Sequence, residues 1–260
     1  MKAMFLALAL PLIMVAMADS SGAFDASKVI DLTHTFDKQT IYWPTEGSFH
    51  HQWEHFGPTP EGFFYAAGKY AAAEHGGTHM DAPLHFNRNG ESVDKVPLGN
   101  CIGPAVVIDF SERAAKDPSA MLSVADVQQY EKAYGPIPAG AIIVARSGWG
   151  KFWPNKKQYL GTDKLGDVAG LRFPGYSAEA LKYLLEHTKV AAIAIDTASI
   201  DPGVSKDFKA HQTWLGANKP AFENVANADQ LPPRGATIFC IPFKIGDGSG
   251  APTRIFAVLP

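Results

Sequence analysis

Residues 177–195 read Ser-Ala-Glu-Ala-Leu-Lys-Tyr-Leu-Leu-Glu-His-Thr-Lys-Val-Ala-Ala-Ile-Ala-Ile, and this stretch decides the fold class. Leu181, Leu184 and Leu185 recur at helical spacing, so Ser177–His187 is predicted to be a helix with one apolar stripe. The chain then runs almost directly into Val190–Ile195, a short apolar run that predicts a buried strand. The same order occurs upstream. Ser123–Tyr134 is predicted to be a helix that opens on Ser123 and Asp126, which resemble a capping box, and it leads through Gly-Pro-Ile-Pro to an apolar run at Ala141–Ala145. Further strand-like runs lie at Val29–Thr33, Phe64–Ala72, Ala105–Phe110, Ala236–Ile245 and Ile255–Leu259. Alternating helices and strands in the middle with strand-rich ends predict an α/β fold, a single mixed-sheet domain.

The 260 residues allow one large domain or two small ones, and no Ser/Gly-rich linker, repeat or charge block divides them. Hydrophobic residues at 46% and charged residues at 19% give ample material for a core, which excludes disordered, collagen-like and coiled-coil classes. A net charge of −3 leaves no basic excess to neutralise phosphates, so nucleic acid is excluded as a partner. The two cysteines, Cys101 and Cys240, form no C-x-x-C, so zinc-thiolate and thioredoxin-type chemistry lack their ligands. Lys2 precedes an apolar run from Ala3 to Ala18 that ends Ala16-Met17-Ala18, the layout of a cleaved export signal and short of a spanning helix. Residues 1–18 are therefore read as a signal peptide and 19–260 as one domain, periplasmic or secreted. In such a compartment Cys101 and Cys240 can pair if geometry permits; the plainer expectation is two buried small hydrophobes.

Chemistry concentrates in His75-Gly-Gly-Thr-His79-Met-Asp81-Ala-Pro-Leu-His85. In an extended segment alternate side chains share a face, so His79 and Asp81 can converge on one ion. Pro83 argues against a helix here. His75 and His79, four apart, would be separated by ~13 Å in an extended chain, too far to share an ion. The chain must bend between them, and Gly76-Gly77 can supply the bend. His75, His79 and Asp81 then form a His-His-carboxylate set with positions open to water and substrate. Imidazole and carboxylate without thiolate suit Mn²⁺, Zn²⁺ or Fe²⁺. His85, beyond Pro83, is expected near the ion without binding it, as the general acid/base that takes a proton from the attacking water and returns it to a leaving group.

The pattern His75-x-Gly-Thr-His79-x-Asp81-x-Pro83-x-His85 resembles the signature of the cyclase-like metal hydrolase family, which includes bacterial kynurenine formamidase and isatin hydrolase. Asp31-Leu-Thr, Tyr42-Trp43-Pro, Arg146-Ser-Gly-Trp149, Ile195-Asp196-Thr-Ala-Ser199-Ile-Asp201, His211 with Glu223, Pro242-Phe-Lys and Gly250-Ala-Pro are similar to family blocks in order and spacing. The resemblance implies a swivelling β/β/α domain, frequent dimers, an ion on His75, His79 and Asp81, and His85 as acid/base. In the formamidase branch a second ion is held by the shared aspartate with a distal His and Glu, matched here by His211 and Glu223; isatin hydrolase resembles a one-Mn²⁺ enzyme. These two residues are thus a possible second metal site or a proton relay, and the metal count stays open. The amino terminus, Trp43-Pro-Thr and the closing Gly250-Ala-Pro-Thr-Arg-Ile-Phe-Ala are most similar to the isatin hydrolase branch, which implies hydrolysis of a cyclic aromatic amide, isatin to isatinate. The alternative is formamidase action on N-formylkynurenine.

Other residues carry weaker signals. Trp43, Phe63, Phe64 and Trp214 are candidates for a flat aromatic substrate pocket, with core packing the plainer reading. Asp196 and Ser199 follow a buried strand and serve either a site or a turn. His34 is expected as a hydrogen-bonded core histidine, His50, His51, His55 and His187 as surface residues, and Arg146 as the partner of a buried acid. Gly246-Asp-Gly-Ser-Gly250 lacks the following helix that phosphate cradling requires. Two other function classes are weighed. A non-haem Fe(II) oxygenase would use His79-x-Asp81 with His211, but no arginine follows until Arg234 to anchor an oxo-acid. An exported metal-binding or aromatic-ligand-binding protein would keep His75, His79 and Asp81 but have no use for His85. A serine hydrolase is excluded by the absence of G-x-S-x-G.

Overall fold

The last strand is the seam of the molecule. In a computed structural model that describes residues 25–260, the strands are β1 (Val29–Asp31), β2 (His50–Pro58), β3 (Phe64–Ala71), β4 (His79–Asp81), β5 (Ile102–Asp109), β6 (Met121–Leu122), β7 (Ile142–Arg146), β8 (Gly175–Tyr176), β9 (Ala192–Ile195), β10 (Ala221–Glu223), β11 (Thr237–Pro242) and β12 (Gly250–Val258). The helices are α1 (Ser111–Ala114), α2 (Val124–Tyr134), α3 (Lys156–Leu160), α4 (Ala178–His187) and α5 (Lys209–Trp214). The signal-peptide reading falls on residues 1–18, outside the described residues. One mixed sheet runs β1-β12-β11-β5-β7-β9-β10-β4, and a further β12–β4 pairing closes it on itself. β12 pairs with β11 along Thr253–Val258, with β1 at its far end and with β4 through Gly250–Pro252. β5, β7, β9 and β10 are mutually parallel, whereas β11, β12 and β4 are antiparallel to their neighbours.

The central strands are apolar throughout because both of their faces are covered, as parallel strands require. Val106, Ile108, Ile143, Ala145, Ile193 and Ile195 point outward into a core shared with Val127 of α2 and Leu181 and Leu184 of α4. Their alternates Ala105, Val107, Ile142, Val144, Ala192 and Ala194 point inward, against Met80, Phe222, Ala251 and Ile255. The expected α/β single domain with a mixed sheet is therefore the observed one. α2 starts at Ser123, whose hydroxyl accepts from the Asp126 N–H while the Asp126 carboxylate accepts from Ser123, the expected capping box.

Two elements differ from expectation. The run Ala236–Ile245 is regular strand only as far as Pro242; the Phe243 N–H still donates to the Pro252 carbonyl, but Pro252 has no N–H to return the bond and continue the ladder. β2 carries no alternating signal because the β2–β3 hairpin faces solvent on both sides; Trp53, Phe56, Phe64, Tyr65 and Tyr70 are all exposed.

Candidate metal centre

β4 is only three residues long, held between β10 and the start of β12. Met80 turns into the inner core, so His79 and Asp81 share the opposite face, and Glu223 lies directly across from His79 on β10. His75 joins them through the predicted bend. Gly77 has φ +57°, and a Cβ on Gly76 would lie 2.1 Å from Cδ1 of Tyr42, whose ring crosses the bend at that point. His211 arrives from α5, so two ligand sets converge and share Asp81: His75, His79 and Asp81, and Asp81, His211 and Glu223.

The hydrogen bonds define which nitrogen of each ring faces inward, with tautomers assigned from the network. His79 Nδ1 donates to the Gly77 carbonyl at 3.0 Å, and His211 Nδ1 donates to Asp201 Oδ2 at 2.7 Å. Their Nε2 atoms are left facing Asp81 at 3.2 Å each, and Glu223 at 3.5 and 3.4 Å. His75 Nδ1 lies 2.7 Å from Asp81 Oδ1. Three lone-pair nitrogens and two carboxylates thus converge, acceptors facing acceptors at less than 4 Å, an arrangement that requires either protons or a cation at its centre. This donor set fits a divalent ion of the Mn²⁺, Zn²⁺, Fe²⁺ group.

Without a cation, protons fill the role. Burial opposes charge on His79, but the hydrogen bond and charge of Asp81, with Glu223, outweigh it and lift the pKa to about 9. His211 is likewise raised: burial is outweighed by Asp201, Asp81 and Glu223. Burial would raise Asp81, yet hydrogen bonds from His211, His75 and His79 hold it well below the carboxylate range. Glu223 is raised by burial and by the neighbouring Asp81 charge. A cation that enters displaces these protons.

His85 ends a 3-10 turn that starts at Pro83, and its ring stacks on His75 with centroids 3.8 Å apart. The residue keeps an exposed edge, but the atoms packed around its ring desolvate it, and this lowers its pKa to about 4. It is a neutral base at pH 7. The cavity above the cluster measures about 380 Å³, with Tyr42, Trp43, Phe86 and Phe208 on its apolar side.

The family model "Putative cyclase" matches residues 30–202 of this chain. The chain belongs to the cyclase family. An isatin hydrolase of Roseibium aggregatum is 31% identical over 208 residues, covering 77% of each chain. The isatin hydrolase A structure from Ralstonia solanacearum superposes with a TM-score of 0.81 at 30% identity, over 98% of this chain and 100% of that one. A kynurenine formamidase of Salinibacter ruber is 24% identical over 87% of this chain and 95% of its own. These cyclase-family relatives are hydrolases, and this chain is read as an enzyme of the same kind.

Of the sequence-predicted pocket aromatics, only Trp43 reaches the cavity wall, packed against Phe173 and Phe208. Phe63 and Phe64 lie at the tip of the β2–β3 hairpin, 58% and 63% exposed and outside the cavity, because the hairpin projects away from the sheet. Trp214 is fully buried beneath α5, its Nε1 donating to the Pro220 carbonyl; it belongs to the outer core, which its place three residues after His211 on the short α5 could not distinguish from a pocket position. The sequence carried no separate signal for Phe86 and Phe208. Phe208 holds φ +50°, a left-handed backbone unusual for an aromatic, which places its ring on the cavity wall just before α5. Asp201, whose carboxylate orients His211 and accepts from the backbone N–H groups of Ala210 and His211, was visible only as part of a family block.

Several smaller expectations are decided by contacts. Asp196 takes the turn role: it accepts from the Ser147 N–H and hydroxyl and from the Trp149 N–H. Ser199 reaches the cavity. Arg146 pairs with Asp109, an acid nearer the surface than the buried partner expected. The His34 ring is stacked on Trp153 at 4.0 Å, and its buried Nε2 has no partner among the described residues, so packing and not a side-chain hydrogen bond holds it. Cys101 and Cys240 are buried free thiols on neighbouring backbone, the Cys240 N–H donating to the Cys101 carbonyl at 2.8 Å.

Proposed function

We propose that this chain hydrolyses a cyclic aromatic amide, isatin to isatinate, with one Mn²⁺ held by His75, His79 and Asp81. The observation that carries the reading is the convergence of inward-facing nitrogens and carboxylates on the floor of an aromatic-walled cavity, with the unliganded imidazole of His85 stacked beside them. When bound, the ion supplies Lewis acidity, lowering the pKa of a water and polarising a carbonyl. Trp43, Phe86 and Phe208 present flat apolar surface to a planar bicyclic substrate and exclude bulk water. His85 takes a proton from the attacking water and delivers it to the ring nitrogen, so that the C–N bond breaks with nitrogen leaving as an amine and not as an anion. His211, held by Asp201 and kept protonated by the surrounding carboxylates when no second ion sits beside it, donates from Nε2 to Asp81 and orients it from behind, with Glu223 within 3.4 Å of the same nitrogen. The similarity to isatin hydrolases in sequence and fold supports this substrate class, and it favours hydrolysis over the oxygenase and non-enzymatic readings.

The second ligand set, Asp81, His211 and Glu223, favours a formamidase reading with two ions. The purified chain with added Mn²⁺, assayed on isatin and on N-formylkynurenine, separates the two: isatin loss that chelator abolishes is expected, and formate release without isatin loss overturns it. Elemental analysis at one ion per chain is expected; two would assign the second set.

Two further parts of the reading rest on other observations. The β2–β3 ribbon bares aromatic rings on both faces, and an isolated two-stranded ribbon is marginal in water, which supports a homodimer in which the hairpin packs on a second copy. Light scattering is expected to give twice the chain mass; a monomer refutes it. The apolar run Ala3–Ala18 supports export with cleavage after Ala18, so the amino-terminal sequence of protein recovered from the periplasm or medium is expected to start at Asp19.

A further inference from the structure

Two of the three imidazoles at the centre spend Nδ1–H outward and present Nε2 inward. His75 is inverted, and the reason lies in the glycine loop that the catalytic reading leaves without a role. His75 Nε2 lies 3.0 Å from Ser249 Oγ, and the Ser249 hydroxyl lies 2.6 Å from Glu74 Oε2. The same Glu74 oxygen accepts from the Ser249 N–H at 3.0 Å and the Gly250 N–H at 3.3 Å. A hydroxyl has one proton; once it is given to the carboxylate, Ser249 can only accept from the ring, so Nε2 carries the hydrogen and Nδ1 offers its lone pair to the centre. The loop is held in place by the Ala82 N–H on the Ser249 carbonyl and the Val93 N–H on the Gly248 carbonyl. A Cβ on Gly250 would sit 2.5 Å from His75 Cε1, so the ring lies against bare backbone. The His75 side chain is 23% exposed against 3% and 5% for His79 and His211, and so depends most on this clamp.

We propose that Ser249 and Glu74 are positioning residues that fix the His75 tautomer, so that His75 binds the ion through Nδ1 while His79 binds through Nε2. This rests on the metal reading above. The test uses the full chain labelled with ¹⁵N-histidine and loaded with Zn²⁺ as a diamagnetic probe. NMR is expected to show the His75 proton on Nε2 and that of His79 on Nδ1. Zn²⁺ affinity, measured by competition with a chelating dye, is expected to fall about 10- to 100-fold in Ser249→Ala, with the metal-free melting temperature unchanged, and to be restored in Ser249→Thr. Glu74→Gln is expected to weaken Zn²⁺ in the same direction, and it serves if Ser249→Ala does not fold. Wild-type affinity and an unchanged tautomer in both variants would overturn the inference alone; a wild-type chain that takes up no Zn²⁺ or Mn²⁺ would overturn the metal reading and the inference together.

Discussion

Asp81→Asn will strip the chain of its ion and lower turnover by about 10³-fold or more, since several kcal/mol of transition-state stabilisation depend on the ion and each 1.36 kcal/mol is tenfold. The size of the effect follows from position. Asp81 belongs to both ligand sets and lies within 3.2 Å of an inward nitrogen on each of His75, His79 and His211. An amide keeps the shape but loses the negative charge, and its NH₂ group donates to an imidazole lone pair that the ion would otherwise use. Elemental analysis should return less than a tenth of an ion per chain, and a variant that retains ion and activity refutes the assignment. The same cluster gives the metal-free wild type a pH signature. His79, raised from its ordinary 6.5 to about 9, binds its proton more tightly when folded; its stabilising contribution is fully present below pH 6.5 and is lost as pH rises through 9. Denaturant titration of the chelated protein between pH 6 and 10 should show that decline, and ion-loaded protein, whose centre holds a cation in place of protons, should lack it.

His85→Ala has the second largest expected effect, and its value lies in what it leaves intact. His85 stacks on a proposed ligand but is not in either ligand set, so ion content should match wild type while turnover falls about 10²- to 10⁴-fold, the usual worth of a positioned acid/base. With its pKa lowered to about 4, His85 stays neutral down to about pH 5, and no acid limb assignable to it should appear above that point. Full activity in the variant would reduce His85 to a piece of cavity wall.

What could be read beforehand, and what could not, follows from the range of the forces involved. The strands β5, β7 and β9 and helices α2 and α4 announce themselves through local periodicity and caps, because each is covered on its buried faces by its own sequence pattern. His79 and Asp81 were legible because a strand repeats every two residues, and Gly76-Gly77 because only glycine permits the bend. Ser249 on His75 was not legible because closure of the sheet alone brings those two segments together, and Asp201 on His211 and Phe208 in the cavity wall were not legible in themselves because they sit in the irregular segment between β9 and α5, which carries no periodic signal. Trp214 shows the reverse failure: an aromatic near a candidate site residue, His211, in sequence is packed into the core by the helix the two share.

The seam strand has a consequence for how the molecule comes into being. β4, bearing two of the proposed ligands, is gripped along one edge by residues 250–252, so that edge is locked only when a segment very distant in sequence has come back to it. Such a long-range zipper is slow to find and all-or-none in effect. An ion held through His79 and Asp81 would therefore couple its own binding to the joining of the two edges of the sheet.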